Sequence, residues 1–277
     1  MTNRPPFTVP IAANAHAEHI GSRDTQQDAA YFSTRIATYG AYLVAAIADG
    51  VGSATGSEYI ARAAVEAVCA LGAAADYGDY PAELLPLAAA VLPLHVRTAE
   101  TAAAVAFSGF ADGPGYGYRP DATIAVATID DDAAIQVGWL GDCRVWVELA
   151  NGRLLRLTDD HNMAKFGRPN VVTRTLGEPG EEGPARAQWH HNGDPELRPV
   201  RVLLTTDGVH GPLSERAIRC ALTNAPNAQR AALWLTKWAV RADGPRADNA
   251  SALLFEIAPA EPDPADGAGD AEELAPF

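Results

Sequence analysis

Positive charge is what this 277-residue chain has least of: 21 Lys and Arg stand against 35 Asp and Glu, a net −14 with a pI near 4.8. Such a balance argues against nucleic acid or an anionic membrane as the main partner, because phosphates would be repelled. Cysteine is scarce too. Cys69, Cys143 and Cys220 are far apart, with no Cys-x-x-Cys spacing, which excludes a disulfide framework or a zinc ribbon and reads as buried small apolar residues. No apolar run approaches the roughly 20 residues of a membrane span, since Asp49, Gly50 and Gly52 interrupt the best candidate. No basic segment precedes an apolar core near the N-terminus, so the expected setting is soluble and cytoplasmic.

What is present is a large apolar fraction, 48%, in a chain long enough to bury about three-quarters of its unfolded surface. Residues 1–13, with three prolines and no periodicity, read as a flexible arm. Residues 258–277, rich in Pro, Ala, Gly and acid, read as a disordered tail. Residues 14–257 form one block without a linker, a single catalytic domain. Apolar or β-branched runs predict strands at Ala41–Ala48, Thr123–Ile129, Ala134–Leu140, Arg144–Leu149, Val200–Thr206 and Ser251–Ile257. Gly141-Asp142 between two of them reads as a tight hairpin turn. Three-and-four apolar spacing predicts helices at Ser57–Leu71, Ala82–Phe107, Ser214–Thr223 and Ala228–Arg241. Strands clustered without strict strand–helix alternation favour an α+β architecture with antiparallel pairing.

The chemistry points to aspartates at strand ends. Asp49 and Asp207 each follow an apolar strand and precede a glycine, Asp248-Asn249 precedes the final strand, Asp142 sits in the turn after Gly141, and Asp28 precedes an apolar stretch. A single Asp-Gly is an ordinary turn, but several at strand ends can converge on one end of a sheet. Clustered carboxylates raise one another's pKa unless a cation neutralises them, and oxygen-only ligands suit Mg²⁺ or Mn²⁺. Two such ions about 3.5–4 Å apart can activate a bridging water for in-line attack on phosphorus.

The order of these motifs resembles the metal-dependent phosphatases of the protein phosphatase 2C family, in the compact bacterial form, from about His16 to Ile257. Arg23-Asp24-Thr25-Gln26-Gln27-Asp28 is similar to the family's Arg-x-x-Asn-Glu/Gln-Asp opening, and Asp49-Gly50-Val51-Gly52 to its Asp-Gly-x-Gly turn. Ala122-Thr123, Gly141-Asp142-Cys143-Arg144, Leu157–His161, Thr173–Gly177, Leu203–Gly208 and Asp248-Asn249 follow in the family's order. The resemblance implies two packed antiparallel sheets flanked by helices on both sides, a four-layer α-β-β-α sandwich. It also implies a serine/threonine protein phosphatase that hydrolyses phosphoserine and phosphothreonine by direct attack of a water bridging two Mn²⁺ or Mg²⁺ ions. By the same resemblance Asp49 bridges the ions with the Gly50 carbonyl as a further ligand. Asp207 and Asp248 hold one ion, Asp28 contributes through its carboxylate or bound water, and Arg23 binds the substrate phosphate. Asp142 and Asn249 fix turn geometry. Phosphorylated proteins are the implied substrates, and a Ser/Thr protein kinase the implied opposing partner.

Several positions depart from the pattern. Val51 stands where some relatives carry a proposed general-acid His, which leaves leaving-group protonation to metal-bound water. Gln27 stands where many carry Glu, Gln26 replaces Asn, Ser53 a second Gly and Cys143 a Ser. The segment between His161 and Thr173 is a short flap, so a third metal site has Asp121 as its one candidate. Leu71–Gly117 does not align. Other readings fit worse. Gly50-x-Gly52 misses the dinucleotide-binding spacing, and no Lys follows Gly56 to make a phosphate loop. His161, His190, His191 and His210 lack ligand spacing and read as solvated loop histidines. Trp234 and Trp238, four apart on a helix, read as core. Two alternatives stay open at this stage: a phosphoprotein-binding scaffold that has lost turnover, and a phosphatase for small metabolites.

Overall fold

The structure is a computed structural model, and it describes residues 8–37, 40–51, 56–74, 81–90 and 120–259. Strands β1 (Ile11–His19), β2 (Asp28–Ala37), β3 (Gly40–Gly50), β4 (Ala122–Asp130), β5 (Ile135–Leu140), β6 (Arg144–Leu149), β7 (Leu154–Arg156), β8 (Asn162–Met163), β9 (Arg168–Val172), β10 (Ala185–Trp189), β11 (Pro199–Thr205) and β12 (Ala250–Ile257) make three antiparallel sheets. One five-stranded sheet runs β1-β12-β11-β6-β7, the other β10-β5-β4-β3-β2, and β8-β9 is a separate two-stranded flap. Helices are α1 (Ser57–Ala74), α2 over residues 81–90, α3 (Asp207–His210), α4 (Glu215–Asn224) and α5 (Ala228–Asp243).

Period-two alternation of side chains stacks these elements into four layers. In β3, Tyr42, Val44, Ala46 and Ala48 pack on α1 through Ile60, Ala64, Val65 and Val68 and on Leu84 and Leu85 of α2. The intervening Leu43, Ala45 and Ile47 face Val145, Val147, Val202, Leu204, Leu253 and Phe255 of the other sheet. That second sheet repeats the device. Trp146, Leu203 and Leu254 point outward onto Ile218 and Leu222 of α4 and Leu235 of α5. Strands buried on both faces are therefore continuous apolar runs, which is why they are the ones legible in the sequence. Gly72 lets α1 lie close on β3, since a Cβ there would meet Val44 Cγ2 at 2.8 Å.

The four-layer α+β expectation agrees with this architecture. Two local expectations do not. The Gly141-Asp142 turn is not a hairpin: β5 and β6 lie in different sheets, so the turn is a corner that carries the chain between layers. Gly141 allows it through a φ of +98°, with Thr123 Cγ2 where a Cβ would stand, 2.3 Å away. The segment read as a loose arm contributes residues 11–13 to β1, an outer strand on β12 whose Ala15 and Ala17 face the core. The predicted helix Ala82–Phe107 is helical over residues 81–90, and 91–107 lies outside the described residues, as does most of the tail.

Candidate metal and phosphate site

Antiparallel pairing decides where the aspartates go. A strand's end lies beside its neighbour's start, so Asp28, first in β2, pairs with Asp49 near the end of β3, and Asp49 pairs with Thr123 at the start of β4. The β5–β6 corner brings in Asp142, the end of β11 leads directly into Asp207, and Asp248 stands two residues before β12. All six positions share one end of the sandwich. Asp207 opens α3, and Gly208 packs so tightly on the loop before β12 that a Cβ would meet Asn249 O at 1.8 Å. Gly50 is likewise pressed on Ser57 at the start of α1, where an added Cβ would meet Ser57 Cβ at 2.8 Å.

Four of these carboxyl groups are held far from ordinary acidity. Burial, opposed by the Thr206 hydroxyl and reinforced by Asp207, pushes Asp28 up to about 7. Burial, then the charges of Asp207 and Asp160, raises Asp142 to about 7. Burial and Asp248 raise Asp207 to about 6. Burial and the negative neighbours Asp28, Asp207, Asp142 and Asp248 raise Asp49 well above the carboxylate range. Desolvated like charges at this density need a cation or shared protons.

Hydrogen bonding leaves the same need visible. Thr206 Oγ1 donates to Asp28 Oδ2 at 2.8 Å, while Asp28 Oδ1 and Asp207 Oδ1 are buried without a partner. Ser251 Oγ lies beside Asp28 without closing a hydrogen bond to it. Among the described residues no three His, Cys, Asp or Glu side chains are already drawn around one point to hold a metal. The two orphaned carboxylate oxygens, set among further carboxyl groups, nevertheless fit hard divalent cations and would be satisfied by them.

The other sequence candidates take distinct places. Arg23 Nη2 contacts Asp248 Oδ2. Gln27 enters through its backbone: its N donates to Asn249 Oδ1 at 2.8 Å and its carbonyl accepts from Gly50 N at 3.1 Å. Asn249, 2% exposed, also donates from Nδ2 to Ile20 O at 2.8 Å, so it staples the Arg23 loop to Asp248. Asp121 is not brought into the carboxylate cluster. Its Oδ1 accepts from Ala122 N at 2.8 Å and Gly177 N at 2.9 Å, and its Oδ2 from Thr175 Oγ1, so it clamps a loop.

Sequence reasoning missed Thr206 and Ser251 around Asp28, although two threonines ending an apolar strand were a usable signal. It also missed a buried relay in which Trp146 Nε1 donates to Thr205 Oγ1 at 3.1 Å and Thr205 Oγ1 lies 2.9 Å from His210 Nδ1. The solvated-histidine reading is therefore corrected twice. His210 is buried in α3, and His161 stacks on Trp139 and accepts from Gly141 N at 3.2 Å. Cys69 and Cys143 are buried as expected, but Cys220 is exposed on α4.

A family model for protein phosphatase 2C matches residues 16–240. The chain belongs to the protein phosphatase 2C family. No curated protein matches it by sequence. Among solved structures, serine/threonine phosphatase Stp1 from Staphylococcus aureus is similar with a TM-score of 0.70 at 15% identity, covering 92% of this chain and 98% of that one. The Mycobacterium tuberculosis serine/threonine phosphatase PstP/Ppp is similar at 0.58 and 22% identity, over 89% and 98%. The catalytic domain of PstP in complex with 2 manganese ions is similar at 0.59 and 24% identity, over 89% and 98%. These likenesses show the fold. As a protein phosphatase 2C chain, this protein is a metal-requiring phosphoprotein phosphatase of the serine/threonine class.

Proposed function

We propose that Asp49, Asp28, Asp207 and Asp248, with the Gly50 carbonyl, hold two Mn²⁺ or Mg²⁺ ions, and that Arg23 receives the phosphate of phosphoserine or phosphothreonine. The observation that carries this assignment is the pair of buried, unpartnered oxygens, Asp28 Oδ1 and Asp207 Oδ1, on two carboxyl groups that both adjoin Asp49. When bound, the ions supply charge neutralisation and Lewis acidity, which lower the pKa of water and polarise phosphoryl oxygens for in-line attack. The chain's own residues do the rest. Asp49, with four other carboxylates about it, would serve both ions. Thr206 fixes Asp28 in one orientation, leaving its other oxygen to bind. Arg23 presents a planar fork matched to phosphate, and Asn249 sets its distance from Asp248.

The deciding experiment is phosphate release from a phosphothreonine peptide with and without millimolar Mn²⁺, beside Asp49→Asn. Metal-dependent release that disappears in the variant is expected. A folded wild-type protein inactive with every divalent ion would favour the phosphoprotein-binding scaffold, and selective turnover of small phosphate esters the metabolite phosphatase. A Ser/Thr kinase is the proposed source of the phosphoprotein substrates. Among the described residues no helix is long and apolar enough to cross a membrane. The three free thiols suit a reducing, cytoplasmic setting.

A further inference from the structure

The residue assigned to the substrate already has a partner. Arg23 Nη2 contacts Asp248 Oδ2, a carboxylate assigned to the cation, and both side chains are part-exposed at 43% and 37%. The backbones of the two are fixed side by side. Ser22 N and Oγ both donate to Ala247 O at 2.8 Å, Asn249 Nδ2 donates to Ile20 O and Gln27 N to Asn249 Oδ1. At Gly21 a Cβ would lie 2.2 Å from Asp248 O, so the loop cannot shift without breaking that packing. Only the arginine side chain is free to swing. Its charge reaches Asp207 as well, where it acts against burial.

We infer that Arg23 is a tethered competitor for the cation at Asp248, and that cation binding displaces it into the phosphate position, so that phosphate recognition is switched on by metal. The inference rests on the proposed function and adds an order of events to it. A divalent ion on Asp248 repels the guanidinium and draws on the same carboxylate charge, so the two compete for Asp248. Without a cation, a phosphate dianion approaching Arg23 meets the uncompensated carboxylates around Asp49. An exposed ion pair is worth little, so a divalent ion can displace it. The displaced fork keeps its tether and lands within a side chain's reach of where it began.

Two measurements on the full chain test this. Calorimetry with Mn²⁺ alone compares wild type with Arg23→Met, and tightening of about two- to fivefold is expected, the factor by which an exposed pair competes. The Arg23 side-chain Nε–H resonance, assigned by its loss in Arg23→Lys, is then followed on adding Mg²⁺ and next inorganic phosphate. Mg²⁺ alone should move it toward the free-arginine position, and phosphate should shift it only after Mg²⁺. A resonance unmoved while calorimetry reports binding, or shifted equally by phosphate in the metal-free protein, overturns the inference and leaves the metal site standing. No binding of either ion by folded wild type overturns the proposed function and the inference together.

Discussion

At the scale of single residues, the site is a set of charges that burial makes uncomfortable. Asp28, Asp142 and Asp207 rise from 3.8 to about 7, 7 and 6. A carboxyl group raised on folding binds more protons in the native than in the unfolded state. Its contribution to stability is therefore complete below the unfolded pKa near 3.8 and is lost as pH climbs through the folded value. The metal-free protein should lose melting temperature between about pH 4 and 7, and saturating Mn²⁺ at pH 7.5 should restore it, as scanning calorimetry can read. A Tm that rises over that window without metal would contradict the assignment. Asp28→Asn should lessen this loss while weakening Mn²⁺ binding at least tenfold. Gly208→Ala brings a Cβ onto the backbone of Asn249, and a cost of about 1–3 kcal/mol in denaturant unfolding is expected. The aspartates were legible because Asp-Gly after an apolar run is a local pattern. The need for Gly208 was not, since its obstacle is more than forty residues away in sequence.

At the scale of elements, the decisive parts are connections. Asn249 joins the β1–β2 loop to the start of β12 with two side-chain hydrogen bonds. Asn249→Ala leaves Gln27 N and Ile20 O without these partners. It should cost about 1–3 kcal/mol and raise KM for a phosphothreonine peptide more than it lowers kcat, because the Arg23 loop loses its anchor. An unchanged KM would argue against that role. Six strands were visible in the sequence because burial on one or both faces wrote continuous apolar runs. β1 and β2 were not. β1 reads Ile-Ala-Ala-Asn-Ala-His-Ala-Glu-His, with small residues inward and polar residues outward, and Ala carries little strand signal. The β5–β6 turn was found but misplaced, since a Gly-Asp step looks alike whether strands pair or change sheets.

At the scale of the whole molecule, the inter-sheet core carries the fold. Phe255, fully buried, meets Phe32 edge-on at 5.3 Å between the sheets. Phe255→Ala should cost about 3–5 kcal/mol by chemical denaturation, and a loss under 1 kcal/mol would mean the layers are not packed as described. The surviving fraction of folded variant should keep its Mn²⁺ affinity, because Phe255 touches none of the carboxylates. The sequence pattern carried α+β with antiparallel pairing, and the resemblance carried the four layers, whereas the flap strands and β10 are short and half-exposed, with too few residues to stand out.

The chain passes between the two large sheets at the β1–β2 loop, at the Gly141-Asp142 corner and through residues 157–184, all at the carboxylate end, and once, through residues 190–198, at the opposite end. The sandwich is thus bound along its reactive edge like a book along its spine. Thermal opening of the layers has its widest travel at the far margin, where β11 begins and β12 ends. The carboxylate end of the two sheets should therefore be the steadier one, with amide exchange slowest at Thr123 and Thr205 and fastest toward Val200 and Ile257.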